Sequence, residues 1–297
     1  MSDSGKKHLV AVRAGDTSLH AAWLDRPYAE RSFDCLVSYY SQAAFERHRP
    51  EEGVFAVLVK GGKWDGLYRS FQQLALDLDA YDYVWLPDDD IATTGAAIEQ
   101  IFALSRRYEL ALSQPALTQG SYYSYFPLLQ CRAFRLRYTN LVEIMVPCLN
   151  RAMLKRALPL FENTMTGFGL DYVWCRWPES GPYRSAILDA VAVHHTRPVG
   201  KHLKSVVAGH GRDEEAELQA RFQIASRTIP ISYAGVTADG ARIDGRYRMA
   251  LSMLRSWFGD IGGFQDPKLA RKQALQTFRR QFVKPLDLSP LDPPRAG

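Results

Sequence analysis

Short apolar runs alternate with segments of helical period along most of this chain, and this alternation restricts the possible folds more than any other feature. The apolar runs span 8–16, 33–41, 53–62, 81–87, 109–117, 141–150 and 185–195. Segments 64–78 and 93–108 place their apolar residues at helical spacing instead. Strands that alternate with helices are typical of a mostly parallel sheet covered by helices. We therefore predict an α/β fold.

Chain length and composition are ordinary for a globular protein. The 297 residues are 46% apolar and 23% charged, and a chain of this length can form one large α/β domain, or a domain with an appendage. Beyond His210 the pattern becomes helical and amphipathic, so we predict an α/β domain over 1–210 and a helical extension with a Pro-rich tail over 211–297. The net charge of +5 suits an anionic ligand or an acidic membrane surface. It is too small to indicate nucleic acid by itself.

The cysteines and the N-terminus bear on location. The 4 cysteines lie far apart without a CxxC pair, so the spacing indicates neither a zinc site nor a small disulfide framework. The apolar run near the N-terminus is too short for a signal peptide, and no segment has the apolar length of a membrane span. We expect a cytoplasmic protein, soluble or bound peripherally at the membrane face.

The run YDYVWLPDDDI (81–91) places three aspartates directly after a buried strand. Residues two apart in an extended segment project to the same side, so Asp88 and Asp90 can address one cation. Their hard oxygen ligands suit Mg²⁺ or Mn²⁺, which keep coordination positions open for phosphate oxygens. An Asp-rich turn, or an N-cap for the helix that follows, accounts for the run equally well.

Other polar residues are candidates for the same edge of the sheet. His194 ends a strand and could bind Mn²⁺, although the adjacent His195 leaves the assignment open. Asp171 follows a Gly-Phe-Gly-Leu turn in the first turn of a helix, where it could equally be a cap. The cationic candidates for pairing with a diphosphate are Lys60, Lys63, Arg197 and Lys201. Solvated surface lysines and a histidine bonded to a backbone carbonyl are the plain alternatives.

Six stretches carry a resemblance to a known family. They are KGGKW (60–64), YDYVWLPDDDI (81–91), LSQPAL (112–117), VEIMVP (142–147), GFGLD (167–171) and VHHTRPVG (193–200). In this order they resemble the family called domain of unknown function 707, which is similar to the GT-A class of nucleotide-sugar glycosyltransferases. The match covers about residues 8–202. LSQPAL and GFGLD are its most specific pieces.

The resemblance implies a GT-A-like (Rossmann-like) fold and a metal-dependent glycosyltransferase. Asp88 and Asp90 would hold Mn²⁺ or Mg²⁺ on the donor diphosphate, His194 would complete the metal site, and Asp171 would be the catalytic base on the acceptor side. We lean to an inverting reaction that builds a polysaccharide or glycoconjugate. Two departures concern the acceptor: Phe168 and Gly169 replace the usual Trp context, and 121–140 is shorter and more basic.

Nucleotide contacts are expected from the loops that follow the first two strands. Arg13, Asp16 and Tyr39 lie there, and an aromatic ring could stack on the base. Lys63 and Asp89, together with Asp88, are further candidates for contact with the nucleotide sugar. A core tyrosine and a surface aspartate are the alternatives.

Two other function classes remain open at this point. An aspartate-nucleophile phosphatase also begins from D-x-D, but Ala92 occupies the place where that chemistry typically has Thr or Val. A non-catalytic protein that binds a nucleotide sugar or a glycan is the second alternative. Segment 266–286 is basic and amphipathic, and predicts either a helix packed on the domain or one that contacts an anionic membrane near a lipid-linked acceptor.

Overall fold

The computed structural model describes residues 5–199 and 210–291. Its strands are β1 (His8–Ala14), β2 (Phe33–Tyr39), β3 (Val54–Leu58), β4 (Tyr83–Trp85), β5 (Ile91–Ala92), β6 (Leu112–Leu117), β7 (Phe134–Thr139), β8 (Cys148–Asn150), β9 (Ser185–His195), β10 (Ser232–Thr237) and β11 (Arg242–Asp244). Its α-helices are α1 (Gln42–Glu46), α2 (Trp64–Gln73), α3 (Gly95–Arg107), α4 (Arg151–Phe161), α5 (Leu170–Val173), α6 (His210–Arg221), α7 (Arg246–Gly259) and α8 (Pro267–Val283).

The strands form one sheet in the order β11-β10-β7-β9-β6-β8-β4-β1-β2-β3, and β5 pairs with β9 beside this path. Strands β3, β2, β1 and β4 are parallel neighbours, and β6 is parallel to β9. Because β8 is antiparallel to both β4 and β6, those two strands run the same way. Strands β7 and β11 run opposite to β10, which leaves β7, β8 and β11 reversed. The mostly parallel α/β sheet that we predicted is confirmed.

Helices cover both faces of the sheet because successive side chains of a buried strand point to opposite sides. On β1, Val10 and Val12 pack in a cluster that includes residues of α3, α7 and α8. Leu9 and Ala11 pack in the second cluster, with residues of α2, α4 and α5. The continuous apolar run of β1 therefore reflects burial on both faces.

Polar caps set the helix starts next to the sheet edge. The Thr94 hydroxyl accepts a hydrogen bond from the Ala97 amide, so α3 begins at Gly95 after the aspartate run. The Asn150 side chain accepts one from the Met153 amide at the start of α4. Since the parallel strands all end at the same edge, the loops after β1, β2, β4 and β9 come together there.

The C-terminal segment belongs to the same sheet and the same core. Strand β10 pairs with β7, and β11 extends the edge. The extension therefore contributes two strands as well as α6, α7 and α8. Trp257 of α7 is 1% exposed within the cluster on the α3 face. Over residues 5–199 and 210–291, no helix combines the length and apolar character needed to cross a membrane.

Candidate functional site

Asp88 follows β4 at the sheet edge and is paired with Lys63. The ammonium of Lys63 donates to Asp88 Oδ1 at 2.6 Å and to the carbonyls of Ile144 and Met145 at 2.7 and 3.1 Å. The Asp88 amide donates to the Met145 carbonyl, which fixes the turn. Burial raises the pKa of Asp88 and lowers the pKa of Lys63, while the contact between the two opposes both shifts. Lys63, which we predicted to pair with a diphosphate, is bonded to Asp88 in this structure.

Asp89 connects three loops. Its Oδ2 accepts from the Gly15 amide at 3.0 Å and from the Tyr40 hydroxyl at 3.4 Å. Its Oδ1 accepts from the guanidinium of Arg197 at 3.2 Å, and Arg197 also donates to the Thr17 carbonyl. The loops that follow β1, β2 and β9 therefore meet at one carboxylate.

Asp90 is buried and faces His195. Its Oδ2 lies 3.1 Å from His195 Nε2, and His195 Nδ1 lies 2.8 Å from the Tyr122 carbonyl. Burial lowers the pKa of His195, but the hydrogen bond and charge of Asp90 outweigh it and raise that pKa. Asp90 Oδ1 has no hydrogen-bond partner among the described residues. A buried carboxylate oxygen left in this way is suited to a ligand that brings positive charge.

His194, the histidine that we expected at the metal, points away from Asp90. Its Nδ1 lies 2.7 Å from Thr118 Oγ1 and 3.4 Å from Ser121 Oγ. Side chains alternate along β9, and the pairing of β5 with β9 sets Ile91 opposite His195. The structure therefore brings His195 to the aspartates and leaves His194 on the other side.

Arg13, a predicted nucleotide contact, makes its hydrogen bonds within the protein. Its Nε donates to the Gly62 carbonyl, and its Nη2 donates to the carbonyls of Val59 and Gly61. Its Nη1 donates to the Ser38 hydroxyl at 2.5 Å. Burial lowers its pKa to about 10. Arg13 thus stabilises the loop that presents Lys63 and is not positioned to bind a nucleotide directly.

Of the other two contacts predicted in the loops after β1 and β2, Asp16 and Tyr39, only Asp16 is exposed. Asp16 forms an ion pair with Arg47 at 2.7 Å. Tyr39 is 4% exposed, and its hydroxyl lies 3.1 Å from His48 Nδ1. Its ring therefore cannot stack on a base in this arrangement. The next residue, Tyr40, is 41% exposed at the mouth of the same loop.

Asp171 and Glu143 are two further buried acidic residues, and Glu143 is close enough to Asp88 for their charges to interact. Asp171 lies in the first turn of α5, after Gly169 with a φ of 96°. Burial, and secondarily the charge of Glu143, raises the pKa of Asp171 to about 8. Burial raises the pKa of Glu143 to about 7. Sequence reasoning missed Glu143, although a single acidic residue within the apolar stretch 142–147 was a usable signal.

Glu143 has polar neighbours, one of them on β6. Its amide donates to Gln114 Oε1 at 2.7 Å, and the Ser124 hydroxyl hydrogen bonds to its carboxyl group and lowers its pKa in part. Within the described ranges, Glu143 Oε2 and Gln114 Nε2 are buried without a hydrogen-bond partner. Buried polar atoms are rarely left without a hydrogen-bond partner. The hydroxyl group of a bound compound could accept from Gln114 Nε2 and donate to Glu143 Oε2.

Comparison with known proteins identifies the fold. No family model matches the sequence, and no curated protein matches it. The structure of S. aureus TarS 1-349 in complex with UDP-GlcNAc aligns with a TM-score of 0.50 at 13% identity, over 93% of this chain and 90% of that one. GalNAc-T7 with UDP, GalNAc and Mn²⁺ aligns with a TM-score of 0.52 at 8% identity, over 73% of this chain and 49% of that one. The fold is that of the GT-A glycosyltransferases.

The GT-A assignment confirms the predicted fold class, and the link to domain of unknown function 707 stays a prediction. At these identities the likeness establishes the fold alone. This chain also spans about half the length of the GalNAc-T7 chain.

A GT-A fold raises the question of a divalent cation, and the donor set is compatible with one. No three His, Cys, Asp or Glu side chains of residues 5–199 and 210–291 form a ready site. Mg²⁺ and Mn²⁺, however, are commonly held by one or two carboxylates while phosphate oxygens and water supply the other ligands. Asp88 and the unpartnered Oδ1 of Asp90 offer that partial set. The residues fit a cation that arrives with a diphosphate.

Proposed function

We propose that this protein is a metal-dependent glycosyltransferase that transfers a sugar from a nucleotide diphosphate sugar to a hydroxyl group of a glycan or lipid-linked acceptor. The supporting observation is that two buried carboxylate oxygens in a GT-A fold, Asp90 Oδ1 and Glu143 Oε2, have no hydrogen-bond partner among the described residues. The first suits a cation, and the second suits a hydroxyl group. A protein that only bound a nucleotide sugar would need no buried acid on the acceptor side.

The donor would bind over the loops that follow β1, β2 and β4. Asp88 and Asp90 would hold Mn²⁺ or Mg²⁺, and Lys63 would offset the diphosphate charge. Asp89 would keep the loops in register, and Tyr40 offers the exposed ring for a base in place of Tyr39. Uridine diphosphate sugars are the first donors to test, because both compared structures contain UDP or a UDP-sugar.

Transfer requires that the acceptor hydroxyl lose its proton as the sugar–phosphate bond breaks. Asp171 would take that proton, and its pKa near 8 is suited to a base that works close to neutral pH. Glu143 would orient the acceptor through its free oxygen. The bound cation would supply charge neutralisation on the leaving diphosphate. Attack in line with the leaving group would invert the anomeric centre, as we propose.

The proposal is tested by binding and turnover together. Thermal unfolding of the protein with UDP, GDP, ADP and CDP, each with and without Mn²⁺, should show a rise in midpoint that requires both the cation and one base. Release of UDP from UDP-sugars in the presence of candidate acceptors then measures turnover.

The Asp171→Asn variant separates nucleotide binding from turnover. It should keep the nucleotide-induced thermal shift but lower turnover by roughly a hundredfold or more, as for loss of a general base. Binding without turnover on any donor and acceptor tried would favour a non-catalytic binding protein. Full turnover in Asp171→Asn would remove Asp171 from the chemistry.

A further inference from the structure

Exposed apolar side chains are concentrated on the last two helices. Of the thirteen large apolar side chains that are exposed within the described residues, seven lie on α7 and α8: Tyr247, Leu251, Phe258, Leu269, Leu275, Phe282 and Val283. These two helices are only 14 and 17 residues long. Scattered exposed apolar residues are normal on a soluble protein, but a concentration of this kind marks a binding surface.

Helix α8 has one apolar face that is packed and another that is not. Ala270 and Ala274, with Thr277 and Gln281, are buried against the domain. At about 100° per residue, Leu275 lies roughly opposite that row, and it is 52% exposed. Packing on the domain therefore accounts for only part of the apolar pattern in 266–286.

The outward residues of α7 and α8 form one surface. Tyr247, Leu251 and Phe258 share a face of α7 by helical spacing. The Tyr247 ring stacks on Phe282 with centroids 4.7 Å apart, and Phe278 lies 4.9 Å from Phe282. These contacts join the start of α7 to the end of α8. We call this surface the hairpin face: Tyr247, Leu251, Phe258, Leu275, Phe278 and Phe282.

The two helices carry only positive charge. Neither Asp nor Glu occurs in 246–259 or 267–284, whereas nine basic residues do: Arg246, Arg248, Arg255, Lys268, Arg271, Lys272, Arg279, Arg280 and Lys284. None of the nine forms an ion pair with a carboxylate of the described residues. Arg246 donates to the carbonyls of Gln281 and Lys284, and no carboxylate of the described residues neutralises the charges of the other eight.

We propose that the hairpin face docks on the surface of an anionic lipid membrane. Aromatic and leucine side chains beside lysine and arginine are the combination by which amphipathic helices bind lipid headgroups and the adjacent acyl chains. A second copy of this chain is a poorer partner, because pairing the two surfaces would oppose like charges. The apolar side chains enter the interfacial layer and the basic side chains bind the headgroups.

Co-sedimentation of the full-length protein with vesicles tests the proposal. Vesicles of equal parts phosphatidylglycerol and phosphatidylcholine should bind it at low salt, phosphatidylcholine vesicles should not, and added salt should weaken binding. Leu275→Glu with Phe282→Glu should lower the bound-to-free ratio roughly tenfold or more. Circular dichroism and thermal unfolding should show that this double variant remains folded.

Leu269→Glu is the matched control. Leu269 is 44% exposed on the same helix, but it lies about 120° around the axis from Leu275, so binding should change little. As a second variant, Arg271→Glu with Lys272→Glu changes exposed residues only and should also release the protein from the vesicles.

Three results would overturn the proposal. One is wild-type protein that stays in the supernatant with phosphatidylglycerol vesicles at low salt. Another is equal loss of binding in Leu269→Glu. The third is a wild-type dimer in light scattering that the Leu275→Glu, Phe282→Glu variant converts to monomer, because the hairpin face would then join two copies.

Discussion

Glu143 and Asp171 are neighbouring acids whose ionisation is coupled. Burial raises the pKa of each, and the charge of Glu143 raises that of Asp171 further. Acids that interact in this way lose their protons in two steps that belong to the pair. A base in this setting becomes available only as the pH approaches 8, so the pair controls when the proposed reaction can start.

The pH profile of turnover should reveal this coupling. We expect kcat/KM to rise between about pH 6.5 and 8.5 as Asp171 loses its proton. Glu143→Gln removes the neighbouring charge and should move the rising limb to lower pH. Glu99→Gln, on α3, is the control and should leave the profile unchanged. An identical profile for wild type and Glu143→Gln would show that Glu143 does not influence the base.

Asp90 should be essential for binding a nucleotide together with a cation. Asp90→Asn removes the charge of the carboxylate with the unpartnered oxygen, and we expect roughly a tenfold or greater loss in Mn²⁺-dependent UDP affinity by calorimetry. Asp82→Asn, at the opposite end of β4, is the matched control. If Asp90→Asn binds UDP and Mn²⁺ as tightly as wild type, the cation is not held there.

The sequence predicted which acids and bases gather at the edge better than it predicted their partners. Asp88, Asp90 and Lys63 lie in loops that follow strands, as element order predicted, and Asp171 lies in the first turn of a helix, as its Gly-Phe-Gly-Leu turn predicted. Partner choice depends on side-chain direction, which a one-residue shift reverses. The histidine at Asp90 was left open for that reason.

An irregularity in β9 explains why the directions of the His194 and His195 side chains could not be extrapolated from the sequence. Pro115 and Ala116 are consecutive on β6 but face Leu188 and Ala192 on β9, so residues 189–191 form a bulge. An odd number of inserted residues changes which side chains face each side beyond it. No periodicity within 185–195 indicates the bulge, since most of that run is buried.

A buried ion pair holds this bulge to β7. Arg137 and Asp189 are both fully buried, with Nε and Oδ2 2.7 Å apart, and Asp189 Oδ1 also accepts from the Cys131 amide. Arg137→Met would leave Asp189 unpaired, and should lower the free energy of unfolding by about 3–5 kcal/mol. Chemical denaturation measures this.

The double variant provides the control for the ion pair. Arg137→Met with Asp189→Asn removes the buried charge while an amide oxygen can still accept from the Cys131 amide, so part of the lost stability should return. If Arg137→Met alone unfolds like wild type, the pair does not hold the bulge in place.

At the level of elements, segments whose apolar residues follow a clear strand or helix period were predicted correctly, and segments with a mixed pattern were not. The strands over 8–16 and 33–41 and the helix over 93–108 were predicted from unambiguous patterns. Segment 141–150 was predicted as one strand, but only Cys148–Asn150 is extended. Strands β10 and β11 were not anticipated, because an edge strand such as 242–244 has exposed side chains and a weak apolar signal.

On the scale of the whole molecule, the C-terminal helices are part of the domain that carries the site. Gln265 donates to the Gly120 carbonyl, and the Tyr123 hydroxyl donates to Gln273 on α8. The same loop provides the Tyr122 carbonyl that contacts His195. The boundary predicted at 210 therefore does not separate two independent contact networks.

Truncation before Asp266 should destabilise the entire fold. It removes the buried residues of α8 together with their contacts to the loop, and should lower the midpoint of thermal unfolding by more than about 5 °C. Differential scanning calorimetry of the truncated and full-length proteins gives the comparison. An unchanged midpoint with one cooperative transition would show that α8 is a dispensable appendage.

The three aspartates of 88–90 are each matched by one basic side chain, namely Lys63, Arg197 and His195. When His195 is protonated, the edge of the sheet is close to electroneutral before any ligand binds. A divalent cation and a doubly charged diphosphate would together add no net charge to it. Their joint affinity should therefore depend little on ionic strength, whereas UDP without the cation should bind weakly at any salt concentration, because a neutral edge exerts no net attraction on an anion. Titrations of UDP with and without Mn²⁺, at low and at physiological salt, test both expectations.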